Sequence, residues 1–339
     1  MATLILDRSD LEVRLDGAAL ALYEPAGRHG TVPLKLLDRV IMQGNIKLDA
    51  GVLTKLAEAG VATLMLSKRH SKRVAIVLGL AHNDAGIRLA QSLRVFDANW
   101  CAAWASRQVR AKTRAQIRLL QGALEIRPDC RKPLTDALAS LRGTIASLAA
   151  TPQTNPPRPL AKGGSQIEIA SLRGLEGAAA RAYFQGLTAL FPPALEFTGR
   201  NRRPPRDPVN ACLSLGYTLL HFDAVRACHM AGLDPLLGFY HRPSFGRESL
   251  ASDLIEPLRP HLDRQIWQLF RDRTLREDHF TRDGQACLLG KAGRAAFYQD
   301  YEAHAAATRR LLLRQCRILA RHLKAEGEPL LANEEEENF

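Results

Sequence analysis

None of the six cysteines, Cys101, Cys130, Cys212, Cys228, Cys287 and Cys316, shares a CxxC spacing with another. That sets aside zinc ribbons and dithiol redox motifs, and leaves reduced, buried thiols as the expected role. No apolar stretch reaches the roughly eighteen residues that a membrane-spanning helix needs. The opening MATLILDRSD has no basic segment leading into an apolar run, so a cytoplasmic protein is expected rather than a secreted one. No internal repeat is evident, which sets aside solenoid arrays.

Acidic residues are also scarce. The 339 residues hold 35 Asp and Glu against 47 Lys and Arg, a formal charge of +12. Six of the glutamates lie in residues 326–339, which contain no Lys or Arg, so the first 325 residues carry +18. A body this basic suits a polyanion, nucleic acid above all, and the Glu-rich end reads as a disordered tail. What the chain does have is apolar material for real cores, 46% of its residues. Its length exceeds what one core usually serves, so two domains are expected.

Residues 1–82 read as a strand-rich domain with one helix. Leu11, Val13 and Leu15 alternate with Glu12 and Arg14, and Asp16-Gly17 then leads into Ala19–Tyr23, the pattern of a β-hairpin. Further β-rich runs cover 39–42, 61–66 and 74–78. A helix capped by Asp49 runs through Glu58 and stops at Gly60. The basic segment 68–73 reads as a solvated turn between two strands.

From about Asn83 the period lengthens to that of helices. Residues 83–325 read as a larger, all-α domain: helical segments to about Leu124, another over 134–148, a Pro/Gly-rich connection at 151–165, and a helix carrying Glu176. Further on come a helix at 262–270, a mixed segment at 277–289 extended around Asp283-Gly284, and a last helix over 291–324. On that helix Arg310, Arg314, Arg317, Arg321 and Lys324 recur at intervals of 4, 3, 4 and 3, and Leu312, Cys316, Leu319 and Leu323 do the same. An offset of two places them on opposite faces, one packing and one a cationic stripe, able to follow a phosphate backbone or simply to be solvated. The fold class expected is α+β, strand-rich first and helical second, with an acidic tail at 326–339.

The stretch 207–260 carries the candidate chemistry. His241 follows an apolar run and a glycine in LLGFYH, and Asp253 and Glu256 lie just downstream. With Glu176 they form a plausible cradle for Mg²⁺ or Mn²⁺, because hard divalent cations favour carboxylate oxygens and Mn²⁺ also accepts an imidazole nitrogen. In a helix, Asp253 and Glu256 share a face, and Pro257 breaks the helix beside them. Each residue singly also suits a plain role: a surface glutamate, a loop histidine, an exposed acidic face.

Four blocks in order, GLEGAAARAYF (174–184), DPVNACLSLGYTLL (207–220), GFYH (238–241) and SLASDLIEPLRP (249–260), closely resemble the CRISPR-associated integrase family, the catalytic subunit of spacer acquisition. The resemblance implies an N-terminal β domain used for dimerisation and a helical catalytic domain. It implies Mg²⁺ or Mn²⁺ on Glu176, His241 and Glu256, with Asp253 as a supporting residue. It further implies a DNA endonuclease and integrase in which a 3′-hydroxyl attacks a phosphodiester at the repeat boundary, and a small second adaptation protein as partner. Arg181 and Arg259 are candidate phosphate contacts, as are Arg310, Arg314, Arg317 and Arg321; Arg181 and Arg259 fit equally well as partners of acidic neighbours. Asn210 and Tyr217 fit a place near DNA or helix packing. A non-catalytic DNA-binding scaffold, and a metal nuclease acting on branched DNA in repair, are the rival functions.

Overall fold

The computed structural model describes residues 2–67, 73–80, 82–149, 169–201 and 204–332. The basic run at 68–72 and the Pro/Gly-rich connection at 151–165 lie outside them.

The first part contains β1 (Ala2–Leu6), β2 (Glu12–Asp16), β3 (Ala19–Glu24), β4 (Gly27–Pro33), β5 (Leu37–Gln43), β6 (Lys47–Leu48), α1 (Ala50–Glu58), β7 (Ala62–Leu66) and β8 (Arg73–Val77). They form two four-stranded sheets, ordered β1-β5-β7-β8 and β4-β3-β2-β6. The expected hairpin is β2–β3, with Asp16 opposite Ala19 and Gly17 at φ +58° between them. Side chains at alternate positions bury Val13, Leu20 and Val40 together with Leu56 of α1. Asp49 stands at the start of α1 but its side chain makes no capping bond, and Gly60 ends the turn at φ +70°. Strand β4, GRHGTVP, has no apolar alternation of its own and is held by its pairing with β3.

The second part comprises α2 (Ala85–Phe96), α3 (Ala98–Ile126), α4 (Arg131–Ala149), α5 (Ile169–Thr188), α6 (Pro208–Met230), α7 (Ser249–Ile255), α8 (Arg259–Arg271), β9 (Phe280–Asp283), β10 (Ala286–Leu289) and α9 (Lys291–Ala332). Helices α2 and α3 divide at Asp97, whose carboxylate accepts the Trp100 N–H at 3.0 Å and caps the second helix. The β9–β10 hairpin turns at Gly284, where an extended segment is expected, and is the strand pair described within the otherwise helical second part. It is tied in because Cys287 N–H donates to Pro205 O at 2.7 Å and Leu289 enters the main core. All six thiols are free and buried, as expected.

Helix α9 buries Leu312, Cys316, Leu319 and Leu323 and leaves Arg310, Arg314, Arg317 and Arg321 exposed. It continues to Ala332, which corrects the expected start of a disordered tail at 326. The cause is packing: the Arg94 guanidinium holds both Glu326 oxygens, at 2.7 and 2.9 Å, and Gly327 lies directly on the backbone of Gly86. Residues 333–339 lie outside the described ones.

The two parts share one core, a buried cluster that includes Ile41, Ala62 and Leu64 of the sheet with Leu119, Tyr298 and other helical residues. A buried polar network reinforces it. Arg39 of β5 pairs with Asp223 of α6, and Asp223 also accepts the Tyr301 hydroxyl and the Arg309 Nε, each at 3.0 Å. Asp38 joins Arg39 at 2.7 Å and receives Arg226 through two bonds of 2.8 Å. Among the described residues no helix is long and apolar enough to cross a membrane.

Candidate active site

The segment 238–241 lies against the start of α7. A Cβ on Gly238 would stand 2.5 Å from the Ser249 carbonyl carbon, so only glycine lets the chain pass there. Asp253 of α7, fully buried, fixes the path of the next three residues. Its Oδ2 accepts the N–H groups of Phe239 and Tyr240, and its Oδ1 that of His241, all at 2.9 Å. Oδ1 also meets His241 Nδ1 at 2.7 Å. A carboxylate can only accept, so Nδ1 carries a proton, and Nε2 is the ring nitrogen that a neutral His241 offers to a metal. Asp253 therefore orients the imidazole and has its own oxygens fully engaged.

The chain then breaks at Pro257: α7 ends at Ile255, a 3₁₀ turn spans Glu256–Leu258, and α8 starts at Arg259. The break gives Asp253 and Glu256 different surroundings. Glu256 is buried, with Oε1 2.9 Å from Arg259 and Oε2 2.6 Å from the Lys112 ammonium. Burial raises its pKa, but Arg259 and then Lys112 outweigh it and hold the carboxyl at about 2. The Lys112 contact on this side is an ion pair without hydrogen-bond alignment, and Oε2 has no aligned donor.

Glu176 faces inward on α5 because it falls in the series Leu172, Glu176, Ala179, Tyr183. Its Oε1 accepts the Lys112 ammonium at 2.6 Å and its Oε2 accepts the Tyr240 hydroxyl. Burial and Glu176 together push the Tyr240 phenol far up, so it remains a donor. Arg173 in turn donates to the Tyr240 carbonyl at 3.2 Å. Lys112 thus links α3, α5 and the 256–258 turn, and the two glutamates outweigh burial to keep it charged.

Around this centre, Arg259 lies over the Tyr217 ring at 4.9 Å, and the hydroxyls of Tyr183 and Tyr217 donate to the buried Asp263 at 2.6 and 2.5 Å. Burial pushes Asp263 up to about 6. Arg259 is thereby the Glu256 partner rather than a free phosphate contact. Asn210 is buried and accepts from Arg200 at 2.7 Å and from the Asn201 N–H at 3.0 Å, which makes it a packing residue. Arg181 is exposed on α5. The four arginines of α9 line a cleft of about 710 Å³ with His82, Asp84 and Met230.

Tyr240 binds Glu176, its neighbour His241 is held by Asp253, and Lys112 joins Glu176 to Glu256, so the structure brings these residues into one centre. Among the described residues no three His, Cys, Asp or Glu stand at metal-binding spacing, and Lys112 lies between the two glutamates. Two carboxylates and an imidazole nitrogen nevertheless make a donor set suited to Mg²⁺ or Mn²⁺, and Glu256 Oε2 is a buried acceptor with no aligned donor. Lys112 and Tyr240 were not singled out from sequence. The signal for Lys112 is its register: Ala105, Val109, Gln116, Leu119 and Ala123 are buried at the same 4, 3, 4 spacing into which it falls.

Residues 4–303 match the family described as CRISPR associated protein Cas1. The CRISPR-associated endonuclease Cas1 1 of Thermodesulfovibrio yellowstonii is 37% identical over 304 residues, 89% of this chain and 91% of that protein. Among solved structures, a casposase bound to integration product has a TM-score of 0.80 at 20% identity, covering 96% of this chain and 91% of that one. A Cas6-RT-Cas1–Cas2 complex has a TM-score of 0.77 at 22% identity, covering 96% of this chain and 35% of that one.

Proposed function

The chain belongs to the CRISPR-associated Cas1 family, and on that premise we propose that it is a divalent-metal-dependent DNA endonuclease and integrase. Its reaction is the attack of a DNA 3′-hydroxyl on a phosphodiester at the edge of a CRISPR repeat, which inserts new spacer DNA during antiviral adaptation. The observation that carries this reading is the pairing of Glu176 and Glu256 around one cationic position, with His241 held nearby through its Nδ1 by Asp253.

Glu176, Glu256 and His241 Nε2 would hold the ion. Bound there, Mg²⁺ or Mn²⁺ supplies Lewis-acid charge for the phosphoryl oxygens and lowers the pKa of the attacking hydroxyl. The chain's own residues prepare the ligands. Asp253 keeps His241 in the Nδ1–H tautomer, Tyr240 holds Glu176 from the far side, and Arg259 keeps Glu256 ionised. The exposed arginines of α9 supply phosphate contacts along the DNA.

The partners proposed are DNA, a second copy joined through the strand-rich parts, and a small second adaptation protein. The casposase is solved with an integration product and another neighbour with Cas2, which supports the first and last of these. The test is strand transfer by the purified protein with its partner, Mn²⁺ and a repeat-bearing plasmid. Glu176→Ala, His241→Ala and Glu256→Ala should each lose strand transfer while keeping DNA binding, and EDTA should stop the wild type until Mn²⁺ is restored. Full integration by His241→Ala, or activity indifferent to chelation, would refute the assignment.

A further inference from the structure

Lys112 has no part in the proposed reaction, yet it occupies the centre of the site. Its Nζ stands 2.6 Å from Glu176 Oε1 and 2.6 Å from Glu256 Oε2. The side chain is only 13% exposed and leaves α3 on the face where residues 105, 109, 116, 119 and 123 are core. A lysine at such a position needs anionic partners, and the two glutamates are the partners that it has.

We infer that Lys112 is a built-in counter-ion that occupies the cation position between Glu176 and Glu256 and must give it up when a divalent ion enters. This rests on the reading that the two glutamates hold that ion. The geometry gives the reason for displacement. An ammonium 2.6 Å from both oxygens stands where an ion at about 2.1 Å from oxygen would have to stand, and two cations cannot share it. The two basic groups at Glu256 differ in freedom. Arg259 is held by the Tyr217 ring and lies one turn from Glu256 on the chain, so it stays. Lys112 is a point charge on a flexible four-carbon stem whose ion pair to Oε2 is not aligned, so it can leave. Without the ion, the lysine offsets the repulsion between two carboxylates that face each other across the gap between α5 and the 256–258 turn.

The same lysine then has two opposed effects, stabilising the metal-free protein and weakening metal binding, and their opposition is the test. Lys112→Met keeps the stem length and removes the charge; Lys112→Gln, one atom shorter and neutral but still with an N–H donor, serves if the first variant does not fold. Mn²⁺ titration by calorimetry or electron paramagnetic resonance, and melting with and without Mn²⁺, are read on all three full-length proteins. The expected result is Mn²⁺ affinity at least tenfold tighter in the variants, a lower melting temperature than wild type without metal, and a larger rise on adding Mn²⁺. Affinity that is unchanged or weaker in the variants, while the wild type binds Mn²⁺, overturns the counter-ion role alone. Failure of all three proteins to bind Mn²⁺ refutes the metal reading itself and this inference with it.

Discussion

Replacing Asp253 with Asn removes one acceptor and adds one donor at a carboxylate that accepts four N–H groups. If the new NH₂ faces Phe239 and Tyr240, two backbone donors lose their acceptor. If it faces His241, the backbone N–H of His241 is orphaned and Nδ1–H meets another donor, which drives the proton to Nε2 and closes that nitrogen to metal. A buried group left unpaired costs about 1–3 kcal/mol, so two of them cost about 4 kcal/mol. With an unfolding entropy of about 2.1 cal/mol/K per residue, the melting temperature should fall by roughly 6 °C in a chain of this length. With the NH₂ toward His241, loss of the group that orients a ligating histidine should weaken Mn²⁺ binding by about 10–100-fold. Melting and Mn²⁺ titration of Asp253→Asn read the two effects separately. A variant that melts like wild type would refute the hydrogen-bond account, and one whose His241 proton has moved to Nε2 by NMR yet keeps its Mn²⁺ affinity would refute the role given to the histidine tautomer.

Arg39→Met leaves Asp223 buried beside Arg309 with one partner fewer, and chemical denaturation should show a loss of about 3–5 kcal/mol; a loss under about 1 kcal/mol would mean that the network relaxes without cost. Glu248 pairs with His221 at 2.7 Å and Arg73 at 2.6 Å, and these outweigh its burial to lower its pKa from 4.5 to about 2. A lowered folded value stabilises above 4.5 and is lost as pH falls toward 2, so the stability gap between wild type and Glu248→Gln should be roughly 3 kcal/mol at pH 6 and close as the solution is acidified to pH 2. A gap that persists in acid would contradict the pairing. Changing Arg310, Arg314, Arg317 and Arg321 together to Gln should reduce the slope of log binding constant against log salt by about 3–4 units if all four meet phosphates of duplex DNA; an unaltered slope would mark the stripe as solvated surface.

Where a local rule decides the outcome, the chain is readable. Asp16-Gly17 gives the β2–β3 hairpin, Pro257 breaks the helix between α7 and α8, and the 4, 3, 4, 3 spacing of leucines and arginines on α9 sorts buried from exposed. What local rules miss is decided by partners distant in sequence. Strand β4 exists because β3 pairs with it, and residues 326–332 stay helical because Arg94 and Gly86 lie against them. The candidate site divides in the same way. The resemblance pointed to Glu176, His241 and Glu256, but the roles of their neighbours depend on tertiary geometry. Asp253 and Glu256, three residues apart, turn to different partners, and Lys112 reads as one more basic residue on α3 until its neighbours across the fold are known.

The way Lys112, Glu176, His241 and Glu256 are strung along the chain has a consequence for the order of events during folding. Successive members are 64, 65 and 15 residues apart, and α3 meets α5 and the 256–258 turn only when the helical part has closed. Contacts of such long range form late, after loop closure has already cost its entropy. A nascent or half-folded chain therefore has these carboxylates but not the joined centre, so the proposed chemistry on DNA would wait for the last docking step.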